Sequence, residues 1–432
     1  MLEIVQYKTD KAKKLIDQLS HRQQQVTPRI EQQVRNIIRA VQKDGDKAVI
    51  QYTKEFDDVI HSSKSMRLSE SVLKQAAAKV NPEFIKVIKR AIINISAFHQ
   101  KQKFSSWTMK GPDGVTLGQK VYPLNRVGLY VPGGSGAYPS SILMNVIPAR
   151  IAGVREVAVV TPPFRKGISP EVAAALLEME VKEVYLIGGA QAVAALAYGT
   201  ESIKRVDKVV GPGNLFVSTA KRLVFGDVDI DMVAGPSEIV IIIDDSINPA
   251  WVASDILAQA EHGSGYEMAV CISTSPKAAI ALHRELIAQV AKSPRKALME
   301  KSLSFGGGLF VVNTIQEAAE LADVLSPEHL EICVKQPAKI AGMVHNAGAI
   351  FLGQWTPEAV GDYFAGPSHV LPTGGTSRFF SPLGVYDFLK RTSVVEYSRE
   401  ALKKQGKDII VMAQAEGFHH HADSVARRLA EK

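Results

Sequence analysis

The chain has 432 residues, 46% hydrophobic and 22% charged, with a formal net charge of +7; single cores stop growing at roughly 250 to 300 residues, so more than one folded unit is expected. No apolar run approaches the roughly 18 residues of a membrane span, the opening Met1, Leu2, Glu3, Ile4 lacks a secretory pattern, and the Lys and Arg residues are scattered, with no dense basic arm. Membrane and nucleic-acid partners are therefore excluded and a soluble, cytoplasmic protein is expected.

Residues 1 to about 105 read as helical. Thr27 and Pro28 open a helix whose Ile30, Val34, Ile37, Ile38 and Val41 share one face. Asn81 and Pro82 open another, with Phe84, Ile88, Ile92 and Ile95 on its buried side. After Pro123 short apolar strands alternate with helices, at 127–131, 157–160, 184–187 and 209–210, and again at 238–243, 268–272, 309–312, 330–334 and 349–352. Alternation of this kind builds mostly parallel sheets, and two α/β units of similar build account for it. Beyond about residue 382 the pattern returns to helix. Cys271 and Cys333 each sit in an apolar strand-like run, as buried reduced thiols do.

Gly133, Gly134 and Gly136, Gly188 and Gly189, and Gly211 and Gly213 each follow a strand and precede a helix. Such turns let main-chain amides approach a diphosphate, although the GxGxxG fingerprint is missing and glycine equally closes any tight βα turn. Asn248 and Pro249 open a helix that places Asp255, Gln259 and His262 on one face. Gln259 and His262 could chelate a metal from that rigid base, and the alternative is an ordinary surface histidine. Ser326, Pro327, Glu328 and His329 put a carboxylate and an imidazole at the mouth of a strand, suited to acid/base work, or else form a helix-starting turn. Asp362 and His369 lie in a Gly- and Pro-rich loop, where functional side chains concentrate. Glu416, His419, His420 and His421 form a tract that resembles a metal-ligand cluster and also a solvated helix face.

Together these residues resemble the histidinol dehydrogenase family. The most diagnostic stretch is Ile230, Asp231, then Ala234, Gly235, Pro236, Ser237 and Glu238, an apolar strand, and a helix ending Ala260, Glu261, His262. Further similar segments are 126–134, 188–192 with Tyr198 and Gly199, 211–214, 326–331 and 361–378, so the resemblance runs from about residue 25 onward. Two departures stand out: Gly263 and Ser264 replace the Asp and Pro of many relatives, and His419 and His420 are extra.

The resemblance implies an α/β fold of two incomplete Rossmann-like domains with mostly parallel sheets and helical N-terminal and C-terminal segments. Its divisions are an N-terminal segment 1–25, a first domain 26–129 with 237–381 carrying metal and catalysis, an NAD-binding domain 130–236, and a tail 382–432 exchanged within a homodimer. It further implies one zinc per subunit on Gln259, His262, Asp362 and His421, the last chosen because it follows Glu416 by five residues and precedes Ala422. Cofactor contacts fall on Tyr130, Gln191 and Asn214, and substrate contacts on Ser237, His329, His369 and Glu416 as well as the zinc ligands. The implied reaction is the oxidation of L-histidinol through L-histidinaldehyde to L-histidine with two NAD and one water, His329 as base and Glu328 activating the water. The rival readings are a related dehydrogenase of another small polar alcohol, such as a sulfonated diol, and a zinc hydrolase.

Overall fold

The computed structural model describes residues 2–22, 26–133, 136–164 and 167–431. Gly134, one of the expected turn glycines, lies outside them.

Two parallel sheets organise the chain. One has the spatial order Glu183–Tyr185, Glu156–Val160, Arg126–Tyr130, Lys208–Val210, Asp229–Ile230. The other runs Ile4–Gln6, Gly307–Val311, Met268–Ser273, Glu238–Ile243, His329–Cys333, Ala349–Leu352. Numbered within each unit, both follow the order 3-2-1-4-5, and the second gains Ile4–Gln6 at its edge, paired to Gly307–Val311. The strands are apolar on both faces because helices cover both. Val127 and Leu129 face one core while Tyr130, Ala158 and Val160 face another; Ile239, Ile241 and Ile243 are likewise separated from Val240 and Ile242.

The caps expected from the sequence are present. Thr27 and Asn81 accept hydrogen bonds from the amides of Ile30 and Glu83, and Pro28 and Pro82 stand at the first helical positions. Both helices pack on the five-stranded sheet, through Val34 and Ile37 on one face and Ile88 and Ile95 on the other. The apolar stripes of these helices find their complement on the sheet that follows them directly in the chain. The N-terminal segment holds an edge strand as well as a helix, Asp10–Ser20.

A third sheet was not expected. Trp107–Lys110, Thr116–Pro123 and Leu389–Glu396 form an antiparallel ribbon, so the chain after 382 passes through a strand before its two final helices, Arg399–Ala415 and His419–Ala430. These helices pack chiefly on each other and leave Ile409, Val411, Met412 and Phe418 exposed. No helix among the described residues is long and apolar enough to cross a membrane. Both cysteines are free and buried.

Candidate active site

In a parallel βαβ unit the connecting helix runs back toward the amino ends of the strands. The helix Pro249–Ala260, started by the Asn248 side chain, therefore delivers Gln259 to the edge where Glu238 and His329 begin their strands. His262 is not inside this helix as its spacing suggested. It lies just beyond, in a turn where Gly263 takes φ +111°, and its Nδ1 is 3.1 Å from the Gln259 carbonyl. The strand expected at Leu330 starts at His329, so Ser326 to Glu328 lead into a strand and not into a helix.

The centre of the site is buried. His329 Nδ1 is 3.0 Å from the main-chain carbonyl of Glu238; a carbonyl only accepts, so Nδ1 carries the proton. Nε2 is left without a hydrogen-bond partner, 3.6 Å from Asp362 Oδ1. Glu328 and Glu358 stand 3.7 and 3.6 Å from Nδ1. Burial pulls the imidazole pKa down, but Glu358, Glu328 and Asp362 outweigh it and raise it well above the ordinary value. Burial likewise raises Glu328 well above the carboxylate range and Glu358 to about 7. Burial opposes ionisation of Asp362 too, yet the facing His329 imidazole, with His369 and His262 nearby, holds it below its usual value.

Supporting contacts fix these groups. With its amide turned toward the acid, Gln259 donates to both Glu358 oxygens at 2.8 and 2.9 Å and accepts from the Glu238 amide at 3.2 Å. The Glu328 carboxylate also accepts from the Glu238 amide, at 2.9 Å. Glu238 itself is held by Arg22 at 2.6 and 2.8 Å and by the Gly374 amide at 2.6 Å. His369 Nδ1 lies 3.1 Å from the Asp362 carbonyl, and both residues line a cavity of about 390 Å³ with Phe351 and Ser368. Ser237 stands immediately before Glu238, its carbonyl accepting from Met268.

Ser237, Gln259, His262, Glu328, His329, Asp362 and His369 thus gather at one sheet edge. Glu416 and His421 do not join them: both are exposed in the C-terminal helical pair, with the His421 ring 5.1 Å from that of Phe418. Among the described residues the histidine and carboxylate atoms grouped closely enough for one ion are those of His329, Glu358 and Asp362.

Not expected from the sequence were Glu358, Arg22, the part played by Glu238, and Glu331, whose buried carboxylate accepts from the Glu358 amide at 2.7 Å. A signal existed for two of them: Glu238 and Glu331 are carboxylates within otherwise apolar strand runs, and charge so placed must be buried.

The second site lies at the carboxyl edge of the five-stranded sheet, where the strand order reverses, the usual position of a ligand crevice in open α/β sheets. A cleft of about 420 Å³ is lined there by Tyr130, Gln191 and Asn214 together with Pro132, Gly133, Pro162 and Gly189. Gly211 passes this edge with φ +104°, and a Cβ there would lie 2.2 Å from the Tyr130 carbonyl, so only glycine fits. Gly189 opens its helix, but its amide donates to the Tyr130 hydroxyl at 3.1 Å. Burial raises the Tyr130 pKa to about 12. Asn214 caps the next helix by accepting from Phe216 and Val217.

The model of a family described as histidinol dehydrogenase matches residues 20–429. The chain belongs to that family. Histidinol dehydrogenase of Listeria monocytogenes is 47% identical over 403 residues, spanning 93% of this chain and 94% of the relative. The protein of the same name from Bacillus cereus strain ATCC 10987 is 45% identical over 431 residues, with 100% of both chains covered. The crystal structure of histidinol dehydrogenase from Elizabethkingia anophelis superposes with a TM-score of 0.92 at 31% identity, covering 99% of this chain and 98% of that one. The chain is accordingly a dehydrogenase, with the α/β architecture expected of the histidinol dehydrogenase family, and the hydrolase reading is set aside.

Proposed function

We propose that the protein oxidises L-histidinol to L-histidine through the aldehyde, using NAD and one zinc ion per subunit, as a cytoplasmic homodimer. The observation that carries the mechanism is the buried His329 imidazole: its Nδ1–H is engaged by Glu238 and its Nε2 is free.

The donor set fits a zinc ion. Imidazole, carboxylate and amide oxygen are offered by His262, Asp362 and Gln259, and Asp362 is the acid of the pocket that is held ionised, as a metal-binding carboxylate must be. His421 completes the proposed ligand set. Zinc supplies charge and a fixed anchor for the imidazole and amine of the substrate, and NAD supplies the hydride acceptor of both oxidations.

The remaining work falls to side chains. His369 and Ser237 help hold histidinol beside the cavity, with Glu416 reaching its amine. Nε2 of His329 takes the hydroxyl proton as hydride departs. Zinc held by Asp362 would offset the charge of that carboxylate and so would lower the His329 pKa toward the range in which Nε2 acts as a base. Glu328, next to it, takes a proton from the water that adds to the aldehyde, and His329 acts again on the hydrate. Tyr130, Gln191 and Asn214 hold the dinucleotide in the second cleft.

The exposed apolar face of the C-terminal helices supports the shared site, since a second copy would cover Ile409, Val411 and Met412 and bring its own Glu416 and His421 with them. Purified protein supplied with NAD, zinc and L-histidinol tests the reading. NADH forms only when histidinol is present and stops on chelation; a sulfonated diol oxidised in preference would assign the site to another alcohol.

A further inference from the structure

The dinucleotide cleft contains an acid that neither the glycine pattern nor the resemblance singled out. Asp57 ends the helix Asp46–Asp57 and lines this cleft with Tyr130, Gln191 and Asn214. Its Oδ2 is shielded from solvent and has no hydrogen-bond partner. A second orphan lies in the same cleft: Gln191 is fully buried, and neither its amide oxygen nor its nitrogen is satisfied. Polar groups are costly to bury unpaired, so the two together mark where a ligand's donors and acceptors belong.

Every lining residue of the cleft comes from the five-stranded unit, whereas the nicotinamide must take hydride from a substrate held beside His329 on the six-stranded sheet. The cleft therefore suits the end of the dinucleotide remote from the nicotinamide, the adenosine end. NAD and NADP differ there by one group, a ribose 2′-hydroxyl in place of a 2′-phosphate. In dinucleotide folds with the glycine fingerprint, an acid placed after the second strand accepts from that hydroxyl. Here the second strand, Glu156–Val160, runs into Thr161, Pro162 and Pro163, which offer no carboxylate. An acid is supplied instead from the overlying helical layer. Among the described residues that line the cleft there is no Lys or Arg to neutralise a phosphate.

We propose that Asp57 selects NAD over NADP, accepting hydrogen bonds from the adenosine ribose and opposing a 2′-phosphate by like charge. The proposal rests on the cofactor reading given above. It concerns how the cofactor is chosen and leaves the hydride chemistry unchanged.

Isothermal titration calorimetry of NAD and of NADP against the full-length protein without histidinol tests it, with Kd values expected to follow the KM values below. Steady-state kinetics of the zinc-loaded enzyme with each dinucleotide test it as well. For Asp57→Asn the KM for NAD rises about tenfold while kcat stays within about twofold, and the NAD-to-NADP ratio of kcat/KM falls at least about tenfold, since one hydrogen bond to a charged acceptor is lost. Wild-type enzyme given NAD that lacks the adenosine 2′-hydroxyl shows a similar rise in KM, a readout that needs no variant to fold. Gln191→Ala separates the two layers of the argument. A raised KM for NAD in Gln191→Ala with an unchanged NAD-to-NADP ratio in Asp57→Asn overturns the role of Asp57 and leaves the cleft standing. No change in either variant overturns both. Equal KM values for NAD and its 2′-deoxy analogue in the wild type also overturn the proposal.

Discussion

His329 donates from Nδ1 to the Glu238 carbonyl across 3.0 Å, and this one bond decides which face of the imidazole is available. Nε2 then points toward Asp362 with no partner of its own. His329→Ala should lower kcat roughly 10²- to 10⁴-fold, the usual contribution of a positioned acid/base group. It should retain zinc, whereas His262→Ala and Asp362→Ala should each lose both zinc and activity. Elemental analysis of the purified variants distinguishes these. Zinc lost from His329→Ala but kept in His262→Ala would move the ion to the His329, Glu358, Asp362 group.

Glu328 and His329 are neighbours with separate tasks. Glu328→Gln should slow oxidation of supplied histidinaldehyde by more than tenfold relative to its effect on histidinol oxidation to the aldehyde, because only the second half must activate water. Single-turnover measurement of each half-reaction checks this, and equal losses would contradict the division.

A third expectation concerns pH and stability. Burial raises Asp255 to about 6, in contact with Glu331, whose pKa burial also raises. An acid whose folded pKa exceeds its unfolded value binds more protons when folded, so its contribution to stability declines as pH rises from about 4 to about 6. In metal-free protein Asp255→Asn should therefore match the wild type near pH 4 and exceed it by about 1 to 3 kcal/mol at pH 7.5 in urea unfolding. A variant less stable than wild type at pH 7.5 would show that the ionised Asp255 is stabilising.

Much of this arrangement was legible in the sequence, for identifiable reasons. The runs at 238–243 and 268–272 contain too much β-branched, apolar character to be anything but buried parallel strands, and Thr27 with Pro28 announces a helix start without tertiary help. The ribbon strand Trp107–Lys110 was not legible because it is only four residues long and all four are exposed, so no buried face sets it apart. Ile4–Gln6 is three residues long and acquires strand structure from pairing with Gly307–Val311. Gln259 and Asp362 could be placed by motif, but Glu358 reaches the site through a short turn far along the chain and has no local signature. Asp57 looks like an ordinary helix-end acid until the cleft is folded around it.

The C-terminal helices provide a fourth test. His329→Ala and His421→Ala are each expected to be inactive. Co-assembled in equal amounts, they should recover roughly a quarter of wild-type sites if the tail of one subunit completes the site of the other, because each heterodimer contains one undamaged combination. Heterodimers that form and stay inactive would place His421 in its own chain's site.

The most direct measurement is the yield of NADH per molecule of L-histidinol consumed to completion by the zinc-loaded enzyme with excess NAD. Two NADH and one L-histidine per histidinol are expected from a four-electron oxidation. One NADH with accumulation of the aldehyde would contradict the role given to Glu328 and its water, and no NADH with histidinol would contradict the assigned reaction.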